Sequence, residues 1–201
     1  MRIVAGARTF VAAIDLDEGE RHLLRTLFSD IAQLLTPQED PEVDPLERAL
    51  GGVEVERPED PALLRLLPDA DSTDPERSAE FRRYTEYDIR ELKLSNARTA
   101  LHTLDGTGRI KLDHAQTLAW LKALTDLRLV LAARMDVHTE EDFESLYARE
   151  DTLDDHEASM LTIYDFLTWA QERLTGVLSG DLDEDPEDRE NPEDPEDGGA
   201  P

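Results

Sequence analysis

Residues Asp113–Met135 read DHAQTLAWLKALTDLRLVLAARM. Asp113 is a favourable N-cap, and Leu118 to Ala133 contains neither Gly nor Pro, so the stretch is expected to form one helix. At about 1.5 Å per residue it would run roughly 33 Å, enough to cross a small domain. Leu118, Trp120, Leu121, Leu124, Leu127, Leu129, Val130 and Leu131 leave only a narrow polar strip of Lys122, Thr125 and Asp126. A helix apolar nearly all round is an interior helix. Burying about eight large side chains at roughly 1.5 to 3 kcal/mol each would make it the largest gross contributor to folding, before chain entropy is subtracted.

Arg128 breaks this pattern. Its helical neighbours are Leu121, Leu124, Leu131 and Ala132, which places a guanidinium on an apolar face. An unpaired charge there costs several kcal/mol, so a carboxylate or carbonyl from another helix is expected, or an escape to water past its neighbours. An anion site is the functional alternative.

The flanking sequence supplies what such a helix needs around it. Short apolar runs in Arg2–Ile14, broken at Gly6, predict one or two strands. Leu24, Leu27, Phe28, Ile31, Leu34 and Leu35 recur at three and four, which predicts an amphipathic helix over Leu16–Leu35 ending before Pro37. Pro37 to Pro61 is polar and proline-bearing, with a short helix at Pro45–Leu50 closed by Gly51 and Gly52. Asp60-Pro61 starts another short helix through Leu67, and Asp69–Pro75 is an acidic loop. Pro75 opens the next helix. Thr85 followed by Asp88 resembles a capping box, which predicts a bend and a second helix carrying Ile89, Leu92, Leu94, Ala97, Leu101 and Leu104. Asn96 on that helix must be hydrogen-bonded or face a wet cavity.

Gly106-Thr107-Gly108 turns into Arg109–Leu112, an alternation that predicts a strand pairing with the N-terminal ones. Beyond the central helix, Thr139 begins a short helix bearing Phe143, Leu146 and Tyr147, and Asp151–Glu157 reads as an acidic loop. Met160, Ile163, Tyr164, Leu167, Ala170, Leu174 and Val177 trace a last helix ended by Gly180, with Phe166 and Trp169 beside the stripe. The expected fold is mainly α: a helical bundle around one buried central helix, with a few short strands from the N-terminus and residues 109–112. Residues 1–178 form a single domain, and 179–201 an acidic tail too poor in apolar residues to order.

The chain of 201 residues has a formal charge of −27. Gly180–Pro201 holds 11 acidic residues against one arginine, so the rest still carries −17. Such a chain does not bind nucleic acid unaided, because phosphate affinity comes from clustered Lys and Arg. Arg77, Arg82, Arg83 and Arg90 are the best local cluster, and Glu76, Glu80, Glu86 and Glu91 dilute them. Zero cysteines exclude disulfides, thiol nucleophiles and thiolate metal sites. Met135 and Met160 fall where packing explains them. With no apolar run of 18 residues and no signal-peptide profile, the sequence implies a cytoplasmic protein without a membrane partner.

No catalytic constellation stands out. His22, His102, His114, His138 and His156 are scattered, and His138 with Glu140, Glu141 and Asp142 reads as a solvated helix start before a weak cation site. Gly106-x-Gly108 lacks both the P-loop Lys-Ser/Thr and the dinucleotide fingerprint, so no cofactor is expected. The protein is read as no enzyme. Phe81, Arg82, Arg83, Tyr84 and Tyr87 have the composition of a protein interface, and equally of a helix-packing face.

Several stretches together carry a resemblance: LPDA (Leu67–Ala70), EFRRYTE (Glu80–Glu86), KLSNA (Lys93–Ala97), WLKALTDLRLVLAARM (Trp120–Met135) and IYDFLTWAQERL (Ile163–Leu174). In this order the chain resembles the actinobacterial AosR-like oxidative-stress regulator family, formerly a domain of unknown function. The resemblance implies a cytoplasmic, non-enzymatic protein encoded near Clp-adaptor and cysteine-biosynthesis genes. It would act on transcription under oxidant stress through RNA polymerase or a sigma factor, or with a Clp-related partner. The residues matching the family signature are Glu80, Arg82, Arg83, Thr85, Asn96, Trp120, Asp126, Arg128 and Trp169. A thiol-based sensing scheme proposed for such regulators cannot operate in a chain without cysteine.

The leading reading is thus a regulator that binds a protein, and self-association is compatible with the sequence. The competing reading is an enzyme or small-molecule binder with a pocket around Asn96, Arg128 and the Glu80–Thr85 turn. A third has the acidic tail mimic nucleic acid against a basic partner.

Overall fold

A computed structural model describes residues 1–6, 10–36, 57–71 and 73–181. The expected helix at Pro45–Leu50 lies outside these residues, as does the acidic tail beyond Asp181. The described residues hold six α-helices and a three-stranded sheet. In chain order these are β1 (Arg2–Ala5), β2 (Ala12–Asp15), α1 (Glu18–Leu35), α2 (Pro61–Leu66), α3 (Pro75–Leu104), β3 (Ile110–Leu112), α4 (His114–Arg134), α5 (Glu140–Ala148) and α6 (Asp155–Ser179), with a 3-10 turn at Glu150–Thr152 before α6.

The central helix is α4. Asp113 accepts from the Gln116 N–H while the Gln116 side chain accepts from the Asp113 N–H, a reciprocal cap that fixes the start. The helix touches α1, α2, α3, α6 and β3, and Trp120, Ala123, Leu124, Leu127 and Leu131 are buried among them. Trp120 lies edge-on to Phe28 of α1, with ring centroids 5.3 Å apart. Its indole N–H donates to Thr103 Oγ1 at 2.9 Å, which satisfies the one polar atom of a fully enclosed ring.

The sheet is antiparallel in the order β1-β2-β3, with Ile14 between Ile3 and Ile110. β3 pairs with the N-terminal strands as the sequence implies, and α6 packs on β1, where Arg173 donates to the Ile3 carbonyl at 3.0 Å. Gly6 closes the β1–β2 connection. A Cβ there would come within 2.3 Å of the Phe10 carbonyl oxygen, so no larger residue fits without moving backbone.

Two expectations are overturned. Thr85 does not start a second helix, because α3 runs unbroken for 30 residues. The Thr85 hydroxyl donates to the Phe81 carbonyl one turn back at 2.8 Å, the bond a mid-helix threonine makes, and no Gly or Pro follows Pro75 to break the helix. The acidic segment Asp151–Glu157 is likewise not all loop. Asp154 caps α6 through the His156 and Glu157 N–H groups, and Asp155 and Glu157 lie in its first turn, where carboxylates favour the positive end of the helix. At the other end of α3, Arg21 and Arg25 of α1 donate to the Leu104 carbonyl, and Arg21 also to Gly106 and Gly108. They satisfy acceptors that the helix terminus leaves open.

Trp120→Ala should remove about 3 to 5 kcal/mol of stability, through lost burial and the cavity left behind. Urea unfolding followed by far-UV circular dichroism reads this directly, and a loss below about 1 kcal/mol would mean that α4 is not the enclosed element.

Candidate functional site

The signature residues do not converge on one cleft. Those on the first half of α3 divide between its two sides. Arg82 turns inward and is only 8% exposed, so it is no part of the exposed aromatic and arginine face on which the sequence placed it. It pairs with Asp69, which also receives Arg57 at 2.9 Å, and its Nε lies 3.5 Å from Glu86. Glu86 in turn pairs with Arg90 at 2.7 Å. Charges of alternating sign so enclosed hold one another, and truncating one member would strand its neighbour.

The opposite side of α3 faces solvent. Phe81, Tyr84 and Leu92 are 45%, 54% and 57% exposed, and Tyr87 is exposed beside them. At roughly 100° per residue these four span about 140° of arc. Arg83 lies over the Tyr84 ring at 4.7 Å and donates to its hydroxyl at 2.6 Å. Glu80, with Arg77, Phe81, Tyr84, Ala70 and Asp71, lines an open hollow of about 490 Å³.

On the central helix the polar strip divides, with Lys122 and Thr125 exposed and Asp126 buried. Asp126 is only 4% exposed, and Lys93 of α3 reaches it at 2.5 Å. Burial pushes the Asp126 carboxyl above its ordinary value of 3.8, and the Lys93 ammonium offsets only part of that. Asn96 is half-buried in a groove of about 230 Å³ with Ile89, Leu92, Lys93, Lys122 and Thr125.

Of the two partners expected for Arg128, a carboxylate or a carbonyl from another helix, the structure supplies the carbonyl, from the side-chain amide of Gln171 on α6. Arg128 donates to Gln171 Oε1 and to the Tyr164 hydroxyl, both at 2.9 Å, and its guanidinium carbon lies 4.9 Å from the Tyr164 ring centre. Gln171 is itself held by Thr125 at 3.1 Å. Arg128 lines a second groove, of about 390 Å³, which meets the Asn96 groove at Thr125. The pocket expected around Asn96 and Arg128 is therefore two adjoining grooves, and the Glu80–Thr85 turn lines neither. Trp120 is a core residue, whereas Trp169 stands 39% exposed on α6.

Sequence reasoning missed Arg65, on the rim of the second groove, and the setting of His138. Arg65 Nη2 donates to the Val137 carbonyl at 2.6 Å and to His138 Nδ1 at 3.0 Å. An arginine only donates, so Nδ1 accepts and the ring hydrogen sits on Nε2, 2.9 Å from Asp136 Oδ1. Asp142 spends its carboxylate on the His138 and Thr139 N–H groups, which hold its pKa below the ordinary value. The acids beside His138 thus form a helix start. Glu86 four residues after Arg82 was a legible signal; nothing in the sequence joins Arg65 to His138.

These features define a mainly helical protein whose buried polar side chains pin helices together, and whose outward features are an aromatic helix face and shallow grooves. The chain belongs to the family described as Domain of unknown function (DUF2017), whose model matches residues 2–178. It is 35% identical over 132 residues to the Mycobacterium leprae protein named "Putative oxidative stress regulator AosR", covering 57% of this chain and 61% of that one. It is 32% identical over 140 residues to the "Oxidative stress regulator AosR" of Mycobacterium bovis and of Mycobacterium tuberculosis, covering 62% of this chain and 61% of each. The matches span about 61% of these curated relatives' length. The resemblance read from the sequence is thereby shown. No solved structure matches the chain. Among the described residues no helix is long and apolar enough to cross a membrane.

Asp126 makes stability depend on pH in a definite direction. Its folded pKa lies above the unfolded value, so the fold binds its proton more tightly, and its contribution is greatest below about pH 3.8 and falls as pH rises through the folded value. Urea unfolding of the protein and of Asp126→Asn at steps from pH 4 to 7 should show the parent's advantage over the variant shrinking as pH rises. An advantage that grows would contradict the assignment.

Proposed function

We propose that this protein is a regulator of the response to oxidants that works by docking a protein partner and catalyses no reaction of its own. The observation that carries this is the outer face of α3, where Phe81, Tyr84, Tyr87 and Leu92 lie exposed with Arg83 stacked on Tyr84. Tyr and Arg at the centre of a patch are the residue types that dominate protein-binding energy, and large apolar side chains grouped on one helix face are otherwise costly to leave in water. The regulatory half of the reading is supported by the relatives named oxidative stress regulators.

The partner proposed from the family resemblance is a component of the transcription machinery, RNA polymerase or a sigma factor. A charge of −27 disfavours direct contact with a phosphate backbone, so any influence on transcription passes through protein. With no cysteine in these 201 residues, the trigger reaches the protein by a route other than one of its own thiols.

Replacing Phe81 and Tyr84 together by Ala in the producing strain tests the reading. Both side chains face solvent, so the thermal midpoint should stay within about 2 °C of the parent's, while survival after peroxide challenge falls to that of a deletion strain and co-purification of RNA polymerase or sigma factor is lost. Unchanged survival and unchanged co-purification would refute it.

A further inference from the structure

One groove, lined by Arg65, Arg128 and Tyr164, brings two arginines without a carboxylate partner together in a strongly acidic molecule. The chain has 48 acidic residues against 21 basic ones, and cationic side chains elsewhere on it commonly meet a carboxylate: Arg25, Arg57, Arg82, Arg90, Lys93 and Arg134 all do. Arg65 and Arg128, like Arg21 and Arg173, do not, and Arg65 and Arg128 share one groove. Among the described residues these two are satisfied by neutral acceptors alone: Val137 and His138 for Arg65, Gln171 and Tyr164 for Arg128. The Arg128 Nε–H is buried and meets no acceptor. A half-buried guanidinium without a counter-charge carries a desolvation cost that an anion would offset.

The groove is formed where α2, α4, α5 and α6 meet, and its walls combine apolar side chains with the polar Thr125, His138 and Thr139. Leu129, Ala132 and Val137 line it, with the rings of Phe143 and Tyr164, whose centroids are 4.7 Å apart. Its volume of about 390 Å³ lies within the range of small-molecule sites. Glu140 also lines it, so two arginines and one glutamate leave a single net positive charge. That balance, inside a strongly acidic molecule, suits a monoanion and works against phosphates or nucleic acid. A planar guanidinium matches the geometry of a carboxylate, and the apolar side chains match a hydrocarbon or aromatic body.

We infer that this groove binds a small organic monocarboxylate, with its acid group toward Arg128 and Arg65 and its apolar body against Leu129, Phe143 and Tyr164. The site is distinct from the outer face of α3 and stands whether or not that face docks a partner.

Isothermal titration of the full chain with 2-naphthoate tests this, with 2-naphthamide as the uncharged analogue and inorganic phosphate as the anion without an apolar body. Naphthoate should bind saturably, one per chain, and both controls at least about tenfold more weakly. Arg128→Gln and Arg65→Gln should each weaken naphthoate by at least about tenfold, whereas Lys122→Gln, in the adjoining groove, should leave it unchanged. Arg65 sits on the rim, so its variant keeps the test decisive if thermal melting shows that Arg128→Gln has unfolded. Absence of saturable naphthoate binding, equal binding of naphthamide, or an Arg65→Gln variant that binds like the parent would each overturn the assignment.

Discussion

Enclosure of α4 is the constraint from which the rest follows. Four helices and a strand surround it, so any polar group it carries must be matched by a neighbour or bear the cost of burial alone. These matches tie α4 to α3 at two points and to α6 at a third. Thr103 of α3 receives the Trp120 indole, Lys93 of α3 reaches Asp126, and Gln171 and Tyr164 of α6 receive Arg128. Apolar burial supplies the driving force, while these bonds set the rotation and register of the surrounding helices, since a helix turned by one residue would strand them.

The same logic, with charge in place of amides and hydroxyls, governs the first half of α3. Arg82, Glu86 and Arg90 share a buried side and alternate in sign, with Asp69 at one end. The inner side of α3 thereby consumes its ionisable groups structurally. Its outer side is left with aromatic side chains that nothing among the described residues covers. One helix thus serves as scaffold on one side and presents an exposed aromatic face on the other.

Much of this was legible in the residues. The period of α1, the N-cap and length of α4, the pairing of β3 with the N-terminal strands and the stop at Gly180 all rest on local signals, and local signals are what a sequence displays. The misreadings came where tertiary context decides. Thr85 has the chemistry of a cap, yet inside a continuous helix its hydroxyl turns back to Phe81. Asp126 falls on the polar strip by helical counting, but unlike Lys122 and Thr125 it is buried, where Lys93 of α3 reaches it. Arg128 meets the kind of partner expected of it, a carbonyl from another helix, but which residues of α6 supply its acceptors, Gln171 and Tyr164, depends on the rotation of that helix. The groove itself joins residues from α2, α4, α5 and α6, and no spacing along the chain records that meeting.

Amide hydrogen exchange along α4 tests the central claim most directly. If this helix is the enclosed element, the amides of Trp120–Leu131 exchange only through global unfolding, with an opening free energy equal to that from urea denaturation, while the nine-residue α5, whose only buried residue is Leu146, exchanges earlier through local opening. Exchange of Trp120–Leu131 as fast as that of Glu140–Ala148 would show that α4 opens independently, and the account of a helix held from all sides would fail.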